Sequence, residues 1–89
     1  MSEELRAQVQ QVFRDVFDDP SLVLRDEMAS EDIEGWDSLT HINLIVAVER
    51  KLGIKFATAE IGRTKEPGQN VGSFLRMIEA KVAAKQGVA

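Results

Sequence analysis

The residues able to do chemistry lie close together in one stretch, Gly35-Trp36-Asp37-Ser38-Leu39-Thr40-His41. Ser38 precedes the chain's one histidine by three positions, and residues so spaced on a helix share a face, which suggests a nucleophile and its base. A hydrolase also needs a group to orient the base, an oxyanion site and a pocket that excludes water. A chain of 89 residues leaves little room for these, and a lone helix histidine is expected at the surface. Upstream, Ser30-x-Asp32-x-Glu34-Gly35 imitates the start of a calcium loop, with glycine in the sixth place. His41 then occupies the twelfth place, where a bidentate glutamate is required, so the loop fails. What remains is Asp37-Ser38 ahead of an apolar run, residue types that cap helix N-termini, and Ser38 itself reads as a cap. The amides and dipole of such a helix start favour a phosphate, so a phosphoester on Ser38 would be well tolerated there.

Three helices are readable around this stretch. The first covers about Glu3 to Phe17, with Leu5, Val9, Val12, Phe13 and Val16 at helical spacing, and Asp18-Asp19-Pro20 ends it. The last covers about Val71 to Lys85, with Val71, Phe74, Leu75, Ile78 and Val82 on one face. Asn70 is its expected N-cap, and Lys81 and Lys85 suit the negative end of its dipole. Between Pro20 and Gly35 runs a long connection anchored by Leu22, Val23, Leu24, Met28 and Ile33. Ser21 to Arg25 is strand-like but has nothing to pair with, so it is expected as loop. Arg63 to Gln69 is a turn-rich loop, and no internal repeat is present.

The middle helix, about Ser38 to Leu52, has two apolar stripes instead of one. At about 100° per residue from Leu39, the side chains of Leu44, Ile45, Val48 and Leu52 fall at about 140–240°, and Leu39, Ile42 and Val46 at about 300–360°. The first group is assigned to the core. The second is assigned to an exposed docking face, burial of all seven being the alternative. Glu49 is expected to mark the edge of that face. Trp36 is expected to pack the end of the preceding loop onto the bundle, Phe13, Phe17, Phe56 and Phe74 to lie in the core, and Gly53 to cap the helix C-terminus.

Composition excludes several functions. At 44% hydrophobic and 29% charged residues, with a mean hydropathy of -0.17, the chain reads as one soluble globular domain over residues 1–89. No apolar run could span a membrane, the acidic Met1-Ser2-Glu3-Glu4 start lacks a signal-peptide core, and the absence of cysteine excludes a disulfide framework or thiol nucleophile. A cytoplasmic location is the expectation. Fifteen acids against eleven bases give the wrong sign for a nucleic-acid binder. The acids are also unevenly placed: residues 1–37 hold eleven acids and three bases, while 38–89 hold four acids and eight bases. Asp26, Glu27, Glu31, Asp32, Glu34 and Asp37 form a run without a base. Such a run is often only a solvated loop, but whatever approaches it should be basic.

Glu34-Gly35-Trp36-Asp37-Ser38-Leu39-Thr40, followed by Ile42, Leu44-Ile45, Val48-Glu49 and Leu52-Gly53-Ile54, resembles an acyl carrier protein. The likeness extends over the first helix, the acidic loop, Gly53-Ile54-Lys55-Phe56 and Asn70-Val71-Gly72-Ser73-Phe74. The tripeptide Asp37-Ser38-Leu39 alone would be weak; at the head of this helix, in a chain of this length, it is specific. The resemblance implies an all-α fold, a small four-helix bundle with a short or irregular third helix, here Thr58 to Ile61. It implies no enzymatic activity and no metal, but a 4'-phosphopantetheine derived from coenzyme A and attached to Ser38, whose thiol holds an acyl or aminoacyl group as a thioester. The partners implied are a phosphopantetheinyl transferase, which Asp37 helps to position, and acyl-loading and acyl-transferring enzymes docking on Leu39, Ile42 and Val46. Neither nucleic acid nor membrane is implied, and the chain is expected to be a monomer. Where fatty-acid carriers have acids along the exposed face of the motif helix, this chain has Thr40, Asn43, Arg50 and Lys51. That departure points to polyketide, aminoacyl or modified-sugar chemistry. The rival reading is an unmodified helical adaptor that binds a protein through Leu39, Ile42 and Val46.

Overall fold

Ser2 starts the first helix, α1 (Glu3–Val16), by accepting the Leu5 N–H on its hydroxyl at 3.1 Å, and Glu3 and Glu4 oppose the positive end of the dipole. The computed structural model describes residues 2–86. In it α1 is followed by a long loop with one 3₁₀ turn (Ser30–Asp32), α2 (Ser38–Leu52), α3 (Thr58–Arg63) and α4 (Val71–Gln86). Among the described residues no strand forms, so the architecture is the all-α four-helix one that the sequence leads one to expect.

The core sits between α1, α2 and α4. Val9 and Phe13 of α1, Leu44, Ile45 and Val48 of α2, and Val71 and Ile78 of α4 are fully buried. Each contributes on the order of 1.5–3 kcal/mol of apolar burial. Phe56 and Phe74 join this core, whereas Phe17 and Leu52, expected within it, are half-buried at its margin. α1 stops at Val16, one residue earlier than expected: Phe17 caps it, and Asp18 turns the chain with a φ of 52°.

The long loop is held by side chains instead of by a second strand. Arg14 Nε donates to the Leu22 carbonyl at 2.7 Å, Arg6 donates to the Leu24 carbonyl at 3.0 Å, and Gln10 Oε1 accepts the Leu24 N–H at 3.0 Å. These bonds satisfy a backbone that would otherwise be stranded against the core. The loop then reaches α4, where the N–H groups of Val71 and Gly72 donate to the carbonyls of Met28 (2.7 Å) and Asp26 (2.8 Å). A Cβ on Gly72 would meet the Asp26 carbonyl at 3.1 Å and the Asp26 Cβ at 3.0 Å, so a side chain here would press the loop away from α4. Asn70 is the N-cap expected: its side chain accepts the Ser73 N–H, and the Ser73 hydroxyl accepts the Asn70 N–H, both at 2.9 Å.

α3 runs two residues beyond the expected Ile61, through Gly62 to Arg63. Its first turn is fixed by Glu60, which accepts the Ala57 N–H at 2.7 Å and pairs with Lys81 of α4. Lys81 holds the Glu60 carboxyl below the usual carboxylate range, with the Ala57 N–H adding to the effect. The two lysines read as serving the end of α4 thus serve neighbouring helices: Lys81 pairs with α3, and Lys85 reaches the Leu52 carbonyl at the end of α2 at 3.4 Å. Gly53 closes α2 in the left-handed conformation, its N–H on the Glu49 carbonyl at 2.8 Å.

Candidate functional site

Gly35 turns the acidic loop into α2 with a φ of 87°, a conformation that disfavours any side chain, and nothing lies within 4 Å of the space a Cβ would take. Asp37 follows in extended backbone and is the N-cap. Its carboxylate accepts the Thr40 N–H at 2.8 Å, and its carbonyl takes the first helical bond from His41 at 2.8 Å. The Thr40 N–H lowers the Asp37 pKa, so this carboxylate stays charged throughout the neutral range.

Ser38 is therefore the first residue of the helix and not its cap. The difference matters chemically. With Asp37 doing the capping, the Ser38 side chain is exposed and its hydroxyl enters no hydrogen bond among the described residues. It stands at the positive end of a 15-residue helix, where a phosphoester is stabilised.

The two stripes of α2 are both present. Leu44, Ile45 and Val48 are buried, while Leu39 is 72%, Ile42 39% and Val46 37% exposed. The exposed stripe begins beside Ser38 and is continued by Asn43 and Arg50, both exposed. Glu49, expected at its edge, is half-buried, and its carboxylate accepts the Phe56 N–H at 2.8 Å. That bond gives Glu49 a structural task at the α2–α3 connection.

His41 is the residue that sequence reasoning misplaced. It is buried, not at the surface. The Trp36 indole N–H donates to His41 Nδ1 at 3.0 Å, and the rings lie nearly parallel with centroids 6.0 Å apart. Because an indole can only donate, Nδ1 must accept and the proton of the neutral ring sits on Nε2. That nitrogen bonds Thr64 Oγ1 at 2.7 Å, and the Thr64 hydroxyl in turn donates to the Ile61 carbonyl at 2.6 Å. The helical angle carried the missed signal: His41 lies about 200° from Leu39, between Leu44 and Leu52 on the core side. Burial, and secondarily the charge of Lys65, lowers the His41 pKa below its ordinary value. Trp36 packs the end of the acidic loop onto the bundle as expected, edge-on to Phe13 with centroids 5.6 Å apart.

A cavity of about 290 Å³ opens beside Ser38, between the start of α2 and the α3–α4 loop. Its walls include Trp36, His41, Thr64, Lys65 and Phe74, so polar and aromatic groups both face it. Among the described residues, no group of three or more histidine and acidic side chains could hold a metal ion. The arrangement provides a free hydroxyl on a helix start, a small adjoining cavity and an apolar stripe leading away.

No protein-family model and no curated protein matches the chain. Among solved structures, the chain is similar to the solution NMR structure of holo acyl carrier protein from Geobacter metallireducens. The two are 41% identical, the likeness covers 96% of this chain and 92% of that one, and the TM-score is 0.80. Identity at that level, over nearly the whole of both chains and on the same four-helix frame, shows that this chain belongs to the acyl carrier protein family, whose members carry and do not catalyse.

Proposed function

We propose that the protein holds an acyl or aminoacyl group as a thioester on a 4'-phosphopantetheine attached to Ser38. The observation that carries this reading is the Ser38 hydroxyl: exposed, unbonded and first in α2, because Asp37 takes over the capping. The site suits the group on two grounds: a phosphodiester finds the positive end of the helix dipole beside it, and the adjoining cavity leaves space at the point of attachment. When bound, the arm supplies the thiol that the cysteine-free chain lacks.

Attachment requires an outside catalyst. Ser38 Oγ attacks the β-phosphorus of coenzyme A, the bond of that phosphorus to the bridging oxygen of the diphosphate breaks, and adenosine 3',5'-bisphosphate leaves. The hydroxyl proton passes to a base on the phosphopantetheinyl transferase. His41 does not serve as that base, since its Nδ1 is occupied by Trp36 and its Nε2 by Thr64. Asp37 and the acidic loop before it attract the basic rim of the transferase.

Leu39, Ile42 and Val46 form the stripe on which acyl-loading and acyl-transferring enzymes dock, in contacts small enough to be released between visits. The stripe is flanked by acid near Ser38 and ends on Arg50, which has no ion pair among the described residues. A partner lined with bases along its whole length would meet that cation badly, which favours a dedicated pathway of polyketide, aminoacyl or modified-sugar type over general fatty acid synthesis. No helix among the described residues is long and apolar enough to cross a membrane. We take the protein to act in the cytoplasm as a monomer.

The test is intact mass spectrometry after incubation with coenzyme A, magnesium and a broad-specificity transferase. The expected result is a gain of one phosphopantetheine that Ser38→Ala abolishes. No gain, with the transferase active on a control carrier, would instead make the protein an unmodified adaptor.

A further inference from the structure

The hydrogen bonds of His41 connect three elements in one chain. Trp36 belongs to the acidic loop, His41 to α2, and Thr64 ends α3; the bonds run at 3.0, 2.7 and 2.6 Å from indole to imidazole to hydroxyl to the Ile61 carbonyl. Each donor in this relay has one acceptor, and each is used. All three side chains also line the cavity beside Ser38. The relay therefore fixes both walls of that cavity, the loop wall through Trp36 and the α3 wall through Thr64.

We propose that His41 is a positioning residue: as a neutral imidazole it fastens Trp36 and Thr64 on either side of the Ser38 mouth, and a proton on Nδ1 parts them and slows modification of Ser38. The physical reason is the direction of the bonds. An imidazolium has only donors, so a proton on Nδ1 would face the indole N–H 3.0 Å away, leaving two donors apposed and the indole without an acceptor. The charged groups around the ring come from two sides. Lys65, beyond α3, opposes the proton, while Asp37 of the α2 cap and Glu66 of the α3–α4 loop line the same cavity. On the α4 side the ring meets Phe74, and on the loop side Trp36, neither of which is charged.

The sign of the pH effect follows. The folded-state pKa of His41 is lowered, chiefly by burial, so the unfolded chain binds the proton more readily. Stability is therefore full above the ordinary histidine value of about 6.5 and is lost as pH falls below it towards the folded-state pKa. The consequence for modification rests on the Ser38 reading; the relay itself does not.

The experiment follows the single tryptophan. Nitrogen-15 NMR of the whole chain, from about pH 8 down through the ordinary histidine value of about 6.5 until the His41 ring has taken up its proton, reads the Trp36 indole N–H and the two His41 nitrogens together. The expected result is an Nε2–H tautomer at neutral pH, and an indole signal that moves with the same midpoint as the ring. The initial rate of phosphopantetheine transfer should fall about tenfold per pH unit below that midpoint, in step with the neutral fraction. His41→Gln keeps one acceptor and one donor without a proton to gain. It should retain the neutral-pH rate within about threefold and lose the acid limb, and its ratio to wild type removes the pH dependence of the transferase itself. An indole signal that stays still while His41 titrates overturns the inference, as does a His41→Gln profile identical to that of wild type. Failure of wild type to be modified at any pH defeats the Ser38 reading and with it the effect on rate, and is thereby distinguished from an unmoved indole.

Discussion

Asp37 and Ser38 divide two tasks that the sequence allows either to perform. Both are good N-cap types, and from the sequence Ser38 reads as the cap; the backbone gives the role to Asp37, whose carboxylate reaches the Thr40 N–H at 2.8 Å. Capping by Asp37 leaves the hydroxyl next to it unengaged. Asp37→Ala should therefore lower the melting temperature, as loss of a side-chain N-cap does. Ser38→Ala, which removes no hydrogen bond, should leave the melting temperature within about a degree of wild type. Thermal denaturation of the two variants checks both, and the opposite ranking would return the cap to Ser38. His41 shows the other limit of reading single residues. Its position on the helical wheel pointed inward, but its polarity pointed outward, and only the acceptor for Trp36 and the partner Thr64, 23 residues away, make burial tolerable.

Most of α1, α2 and α4 was legible because each buries a periodic stripe. On α2 the separation of Leu44, Ile45 and Val48 from Leu39, Ile42 and Val46 follows directly from about 100° per residue. What was not legible depends on contacts between elements. Gly62 reads as a stop, yet α3 continues through it to Arg63, since Glu60 is anchored by the Ala57 N–H and by Lys81 from α4. Glu49 reads as a surface acid, but its carboxylate accepts the Phe56 N–H. The loop after α1 was expected without pairing, and so it is; that Arg6, Gln10 and Arg14 would take up its backbone groups is a tertiary fact with no local signature. The junction of this loop with α4 yields a prediction for the packing. Gly72→Val places branched carbons where the Asp26 carbonyl lies 3.1 Å from the Cβ position, and should cost about 1–3 kcal/mol of stability in urea denaturation. An unchanged midpoint would show that the loop gives way freely.

The whole molecule separates its charge. Residues 1–37 carry the acid, residues 38–89 the base, and α2 starts at the boundary with its exposed stripe facing outward. A partner should be drawn to the serine end by the acidic loop and seated by Leu39, Ile42 and Val46. Val46→Asp should then weaken acyl transfer at least about tenfold, equivalent to roughly 1.4 kcal/mol, while changing the melting temperature little, because Val46 is 37% exposed. Transfer assays beside thermal denaturation separate the two effects, and a large loss of stability would place Val46 in the core. The reading as a carrier depends on Ser38 more than on any of these surfaces. Cleavage after Arg25 and Arg50 releases residues 26–50 as one peptide that contains Ser30, Ser38 and Thr40 as its hydroxyl side chains. Tandem mass spectrometry of that peptide, after incubation with coenzyme A, magnesium and a broad-specificity transferase, should locate one phosphopantetheine on Ser38. A peptide that stays unmodified, or that carries the group on Ser30 or Thr40, would contradict it.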